Sequence, residues 1–102
     1  MSLSNSDKKT LRAIGHNLKP VVIIAQNGLS ENVGHEIERA LKDHELIKVK
    51  LQIPNREAKQ ELIREICSKF GAECVQTIGH MALLYRKAKK PNPKLSNLKA
   101  RP

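Results

Sequence analysis

A chain of 102 residues that is 39% apolar is sized for one domain with a modest core, and no apolar run in it nears the ~20 residues of a membrane span. Its 19 Lys and Arg against 10 Asp and Glu leave a formal net charge of +9, which favours a polyanionic partner through phosphate attraction and counterion release. Phe70 and Tyr85 are the only aromatic residues, so the stacking platform with which RRM-like sheets hold bases is excluded.

Ser4 or Ser6 can cap a first helix running to about Ile14, with Leu11 and Ile14 facing inward, Lys8, Lys9 and Arg12 facing outward, and Gly15 placed to end it. Lys19-Pro20 then breaks helical geometry, and the unbroken β-branched run Val21-Val22-Ile23-Ile24 predicts a strand covered on both faces. Gln26-Asn27-Gly28 signals a turn. Ser30 caps a second helix over residues 31–43, whose buried stripe holds Val33, Ile37, Ala40 and Leu41.

From Leu46 the pattern alternates strictly, with Ile47, Val49, Leu51 and Ile53 directed to the core and Lys48, Lys50 and Gln52 to water or a partner. Pro54-Asn55 opens a third helix over residues 56–70, with Ala58, Leu62, Ile63, Ile66, Cys67 and Phe70 inward, Gly71 as its stop, and Glu65 and Lys69 spaced to pair across one turn. Residues 74–78 and 81–85 flank Gly79-His80 as a hairpin. The order α-β-α-β-α-β-β contains two strand–helix–strand passages, which predicts an α/β (α+β) fold on a mixed sheet with right-handed crossovers.

After Tyr85 the composition changes. Arg86, Lys87, Lys89, Lys90, Lys94, Lys99 and Arg101 are accompanied by no acid, so residues 1–85 carry only +2 of the net charge. Pro91, Pro93 and the loss of apolar periodicity divide the chain into a domain over residues 1–88 and a flexible basic tail over 89–102, read as a phosphate-contacting arm.

Candidate catalytic chemistry is sparse. His16, His35, His44 and His80 are scattered, and no Ser-His-acid or Cys-His grouping and no zinc-ligand spacing is visible. Cys67 and Cys74 lie in apolar segments without a C-x-x-C pattern and read as reduced thiols. No enzymatic activity, metal, cofactor or small-molecule substrate is therefore expected. With no signal-peptide pattern, a soluble cytoplasmic protein is expected. The informative place is the turn into the second helix, where Gly28 permits close backbone approach, helix-opening amides can receive an anion, and Gln26 and Asn27 add donors and acceptors. Taken alone, the same residues fit an ordinary turn better than a binding site.

Three segments together say more. Leu18-Lys19-Pro20-Val21-Val22-Ile23-Ile24-Ala25-Gln26-Asn27-Gly28-Leu29-Ser30-Glu31, His44-Glu45-Leu46-Ile47-Lys48-Val49-Lys50 and Ile78-Gly79-His80-Met81-Ala82-Leu83-Leu84-Tyr85-Arg86 resemble, in this order, the YhbY-type CRM domain, the chloroplast RNA splicing and ribosome maturation module. The resemblance implies a fold similar to the C-terminal domain of translation initiation factor three, with a four-stranded mixed sheet in order 1-2-4-3. It also implies an RNA-binding role in ribosome assembly, on precursor large-subunit ribosomal RNA, as in bacterial single-domain members. The family's RNA-contacting glycine-x-x-glycine loop falls on Ala25, Gln26, Asn27 and Gly28, with alanine in place of the first glycine. If the first helix packs beside that loop, Lys8, Lys9, Arg12 and Lys19, with Arg86 and Lys87 after the last strand, extend it into one phosphate-tracking surface. Two other classes fit the charge: a basic chromosomal DNA-binding protein, and a ribosome-associated adaptor that docks on protein.

Overall fold

The computed structural model describes residues 3–25, 28–90 and 94–98. Its elements follow the expected order: α1 (Asn5–Gly15), β1 (Pro20–Ile24), α2 (Glu31–His44), β2 (Leu46–Leu51), α3 (Arg56–Phe70), β3 (Glu73–Ile78) and β4 (Met81–Tyr85). Each helix start is held by a side chain. Ser4 Oγ accepts from Asp7 N while Asp7 returns a bond to Ser4 N, Ser30 Oγ accepts from Val33 N, and Asn55 Oδ1 accepts from Ala58 N. Gly71 ends α3 in the left-handed region as expected. Gly15 does not act as a stop: it lies inside the last turn of α1, where a Cβ would stand 2.4 Å from Leu83 Cδ2. It is glycine because the helix backbone rests directly on the sheet.

The strands form one sheet in order β1-β2-β4-β3, with β1 parallel to β2 and both β2·β4 and β3·β4 antiparallel. Both crossovers, β1-α2-β2 and β2-α3-β3, step across the sheet in the same direction, so crossovers of one hand put α2 and α3 on one face. There they cover Val22, Ile24, Ile47, Val49, Leu51, Ala82 and Leu84 with Ile37, Leu41, Leu62, Ile63 and Ile66. The alternation read from Leu46 onward is therefore correct for Ile47, Val49, Leu51 and Ile53. The spaced pair Glu65 and Lys69 forms no ion pair; Lys69 Nζ instead lies 5.9 Å from the Phe70 ring centroid.

Of the described helices, α1 alone lies on the opposite face. Leu11 packs there with Leu46, Val75, Leu83 and Tyr85, flanked by Leu3, Ile14 and Leu18. Since α1 lies over β2, β4 and β3, edge strand β1 is left bare on this side, and Val21 and Ile23 are 50% and 55% exposed. The expectation that β1 is covered on both faces is corrected accordingly: a continuous β-branched run fits an edge strand buried on one face as well as a central one.

Residues 94–98 also depart from the expected flexible tail, while Pro91, Pro93, Lys99 and Arg101 lie outside the described residues. Leu98, 4% exposed, joins the α1-side core. Asn97 N donates to His44 O at 3.0 Å, Asn97 Nδ2 to Leu46 O at 2.7 Å, and His44 Nδ1 to Leu95 O at 2.7 Å. Ser96 Oγ donates at 2.9 Å to the carboxylate of Glu45, which is wholly buried and also accepts from Ala88 N at 3.1 Å. Truncation after Lys90 should consequently lower the unfolding free energy by roughly 1–3 kcal/mol, the worth of one buried leucine and several bonds less the entropy of ordering the segment. Urea denaturation checks this; an unchanged midpoint would show that the docked segment does not stabilise the domain.

Candidate nucleic-acid interface

The turn between β1 and α2 is built by short-range bonds. Gly28 N donates to Ala25 O at 2.9 Å and Ser30 N to Gly28 O at 3.1 Å, which brings the chain from the end of β1 to the cap of α2 within a few residues. Gly28 has φ +75, and the space a Cβ would occupy is empty to 4 Å. The backbone is thus open to close approach by a ligand at a helix N-terminus, where amides and dipole favour an anion. Ala25 is exposed and has no positive φ, since Glu45 is the one non-glycine in that region among the described residues. Alanine therefore serves at the first loop position without strain. Gln26 and Asn27 lie outside the described residues.

The cations expected around this loop are not all brought to it. Ile24 pairs with Leu51, so the loop stands at the end of the sheet where β2 finishes. Tyr85 pairs with Leu46, so Arg86 and Lys87 leave β4 at the other end, a strand length or ~17–20 Å away. α1 starts at that far end as well, for Leu3 N donates to the Glu73 carboxylate and Glu73 pairs with Tyr85. Helix α1 therefore crosses the sheet instead of packing beside the loop. Lys9, Arg12 and Lys19 are exposed and Lys8 is half-buried; Lys8, Lys9 and Arg12 belong to α1, and Lys19 precedes β1 at the end of that strand away from the loop. The single surface expected from the sequence is divided.

Arg86 is also committed. Its two terminal nitrogens hold both Glu38 carboxylate oxygens at 2.8 and 2.6 Å, and Nη1 donates to Phe70 O at 3.2 Å. This fork ties the exit of β4 to α2 and α3. Around it Glu38, Lys42, Arg86, Lys87, Ala88, Lys89 and Lys90 line an open groove of about 540 Å³. Four lysines surround the one internally neutralised pair, so the groove carries net positive charge and suits a polyanion.

Sequence reasoning passed over Lys42 in this groove and Lys48 and Lys50 on the α1-side face. The strict alternation of β2 was the signal for the latter, since it turned both lysines away from the core. Among the described residues no cluster of His, Cys, Asp and Glu is placed to hold a metal, and both cysteines are free and half-buried. Burial pushes the Cys67 thiol up to about 11, so it is a protonated, weakly nucleophilic group at neutral pH.

Comparison with known proteins matches this arrangement to one family. The sequence model of the CRS1 / YhbY (CRM) domain matches residues 3–86. The chain belongs to the CRS1/YhbY (CRM) family. A probable RNA-binding protein of Pseudomonas aeruginosa is 53% identical over 96% of this chain and 94% of its own, and an RNA-binding protein of Haemophilus influenzae is 49% identical over 83% and 86%. The solution structure of a Staphylococcus aureus protein, described as a candidate RNA-binding protein, superimposes with a TM-score of 0.77 at 35% identity, covering 87% of this chain and 93% of the other. The CRM fold expected from the resemblance, with strand order 1-2-4-3, is the fold observed.

In this CRM domain the Arg86 fork has a pH signature. Its bonds hold the Glu38 carboxyl below the usual carboxylate range, against a smaller opposing effect of burial. A depressed folded value means that the clamp stabilises at and above the ordinary carboxylate range and that this contribution is lost as pH falls through the lowered value. Glu38 is half exposed, so the contribution stays under about 1 kcal/mol. Glu38→Gln should lower stability by up to that amount at neutral pH and by nothing in strong acid, where the parent has lost the same charge; urea midpoints of both proteins across pH check it.

Proposed function

We propose that the chain is a non-enzymatic, cytoplasmic RNA-binding protein that acts in ribosome assembly on precursor large-subunit ribosomal RNA, through phosphate and shape contacts. The observation that carries this is the Ala25–Gly28 turn, open at Gly28 and set at the capped start of α2, in a chain of net charge +9. Relatives named as RNA-binding proteins, similar along nearly their whole length, support the RNA partner. The ribosomal target rests on the resemblance to bacterial single-domain CRM proteins. No ligand-specific chemistry beyond phosphate recognition is needed for such a role, and the basic groove and the open loop at opposite ends of the sheet suit a folded RNA that presents phosphates over a broad surface.

Sequencing of RNA crosslinked to the protein in cells tests the target: precursor large-subunit RNA should be enriched, and enrichment of unrelated messages in its place would overturn the assignment. In vitro, structured ribosomal RNA should outcompete duplex DNA at matched salt. If ~4–6 phosphates are contacted, affinity should fall roughly a hundredfold or more between about 50 and 200 mM salt.

The loop has its own test. Gly28→Asp should weaken binding to ribosomal RNA by roughly tenfold, or about 1.4 kcal/mol, because a carboxylate repels the incoming phosphate and a side chain fills the open approach. The exposed Arg64→Gln on α3 alters the charge by the same unit and should change affinity far less. Positive φ at residue 28 adds a stability cost of about 1 kcal/mol, so circular dichroism accompanies the assay. Parent-like affinity in a folded Gly28→Asp protein would remove the loop from the interface.

A further inference from the structure

The α1-side face of the sheet resolves into three cross-strand rows. Leu46, Tyr85 and Glu73 form one, in which Leu46 and Tyr85 are buried with Leu11 of α1 and Leu98, and Glu73 is half-buried. Lys48, Leu83 and Gln76 form the next, only partly shaded by the last turn of α1, where Gly15 meets Leu83. Ile23, Lys50, Met81 and Ile78 form the third, directly paired across all four strands, and none of the described helices covers it. Ile23 and Ile78 at its ends are 55% and 63% exposed, and Val21 beside it is 50% exposed. Between the open row and α1 lies a cavity of about 290 Å³ lined by Gly15, His16, Lys48, Gln76, Met81 and Leu83 among others, large enough for a single small ligand.

The face alternates two chemistries. Aliphatic side chains supply flat apolar area, and Lys48 and Lys50, about 7 Å apart along β2, supply charge at a spacing of the order of successive phosphates on an extended strand. No acidic residue belongs to the second and third rows, His16 lines the cavity beside them, and Lys19 precedes Pro20, which pairs with Lys48. An occupant must combine negative charge with exposed flat apolar surface. Unpaired RNA does so at every nucleotide, whereas a duplex turns its base faces inward. A second copy of this chain meets the face with like charge. We infer that the open row, with the half-buried Lys48 and Gln76 beside it, is a contact surface for unpaired RNA, with bases laid on Ile23, Met81 and Ile78, phosphates on Lys48 and Lys50, and one nucleotide seated in the cavity, where Gln76 offers an amide donor and acceptor. This rests on the RNA-binding function proposed above and adds a single-stranded site distinct from the loop.

The test is methyl and amide NMR of the full chain titrated with a short oligouridine RNA, with an RNA duplex, and with polyglutamate. Oligouridine should shift the methyl signals of Ile23, Ile78 and Met81, while the duplex and polyglutamate should leave them in place. A variant carrying Ile23→Thr and Lys50→Gln, both outside the packed core, should lose at least about fivefold in oligouridine affinity and keep its duplex affinity. Oligouridine binding with these methyls unmoved would overturn the inference and leave RNA binding by the loop intact. Failure of both RNAs to bind would overturn the RNA function itself. Equal shifts with polyglutamate would assign the face to acidic protein, and shifts that follow protein concentration alone would assign it to self-association; each overturns the inference.

Discussion

A four-stranded sheet has two faces, and the described residues form three helices with which to cover them. Connectivity sends two to the same side, because both parallel crossovers step the same way across the sheet. The other face is left to α1, and a helix of 11 residues spans only part of it. Close contact partly compensates: Gly15 lets α1 descend onto Leu83, and Leu11 fills the space above Leu46 and Tyr85. What α1 leaves uncovered falls at one corner, over β1 and the hairpin end, and this incomplete cover shapes the rest of the molecule's surface.

The opposite end of the same face is closed by a different device, centred on Glu45. This residue adopts φ +63 between α2 and β2, a conformation that costs a side chain roughly 1 kcal/mol or more, and it is held there by bonds from several directions. Its carbonyl receives Arg86 N as β4 leaves the sheet, and its carboxylate receives Ala88 N and Ser96 Oγ from the segment that follows. A wholly buried carboxylate is tolerable only when hydrogen-bonded in this way. The chain after β4 is thereby drawn back over the sheet, delivering Leu98 to the α1-side core and setting Lys87, Lys89 and Lys90 beside Lys42. One buried acid thus organises a basic surface.

Much of this was legible in the residues. Helix caps at Ser4, Ser30 and Asn55, the alternation of β2 and the Gly79-His80 hairpin are local signals, and every element appears where they place it. Strand order came with the family resemblance, as no local pattern encodes which strand neighbours which. What could not be read locally depends on what lies overhead. Val21-Val22-Ile23-Ile24 has the composition of a strand buried twice, but its cover depends on where α1 crosses. Leu98 looks like a stray apolar residue in a basic tail until Glu45 and Asn97 fix the path that leads to it. Arg86, counted among ligand-binding cations by charge alone, is already matched by Glu38, a partner 48 residues away in sequence. The candidate site suffered most, because its residues were grouped by charge and proximity to strand ends, and sequence does not state which end of a strand faces which neighbour.

The separation of cations that are spent from cations that are free changes how the charge of +9 acts. Arg86 and Arg39 have internal carboxylate partners, whereas Lys87, Lys89 and Lys90 face the groove with only Glu38 among its lining residues, itself engaged. Lys48 and Lys50 stand among aliphatic side chains, where local polarity is lower than in open water and each charge reaches further. The loop at Gly28 contributes amide dipoles instead of side-chain charge. Three regions are therefore suited to anions by three physical means, the groove at one end of the sheet and the loop and the lysines of β2 toward the other, on a domain measuring about 35 by 26 by 25 Å. No one of them is deep or rigidly enclosed, and each alone would hold a polyanion weakly. A folded polyanion that reaches more than one gains by effective concentration, since after the first contact the others are intramolecular. Discrimination between polyanions then comes from matching the spacing of the three regions, a property of tertiary shape that neither net charge nor a single loop could supply.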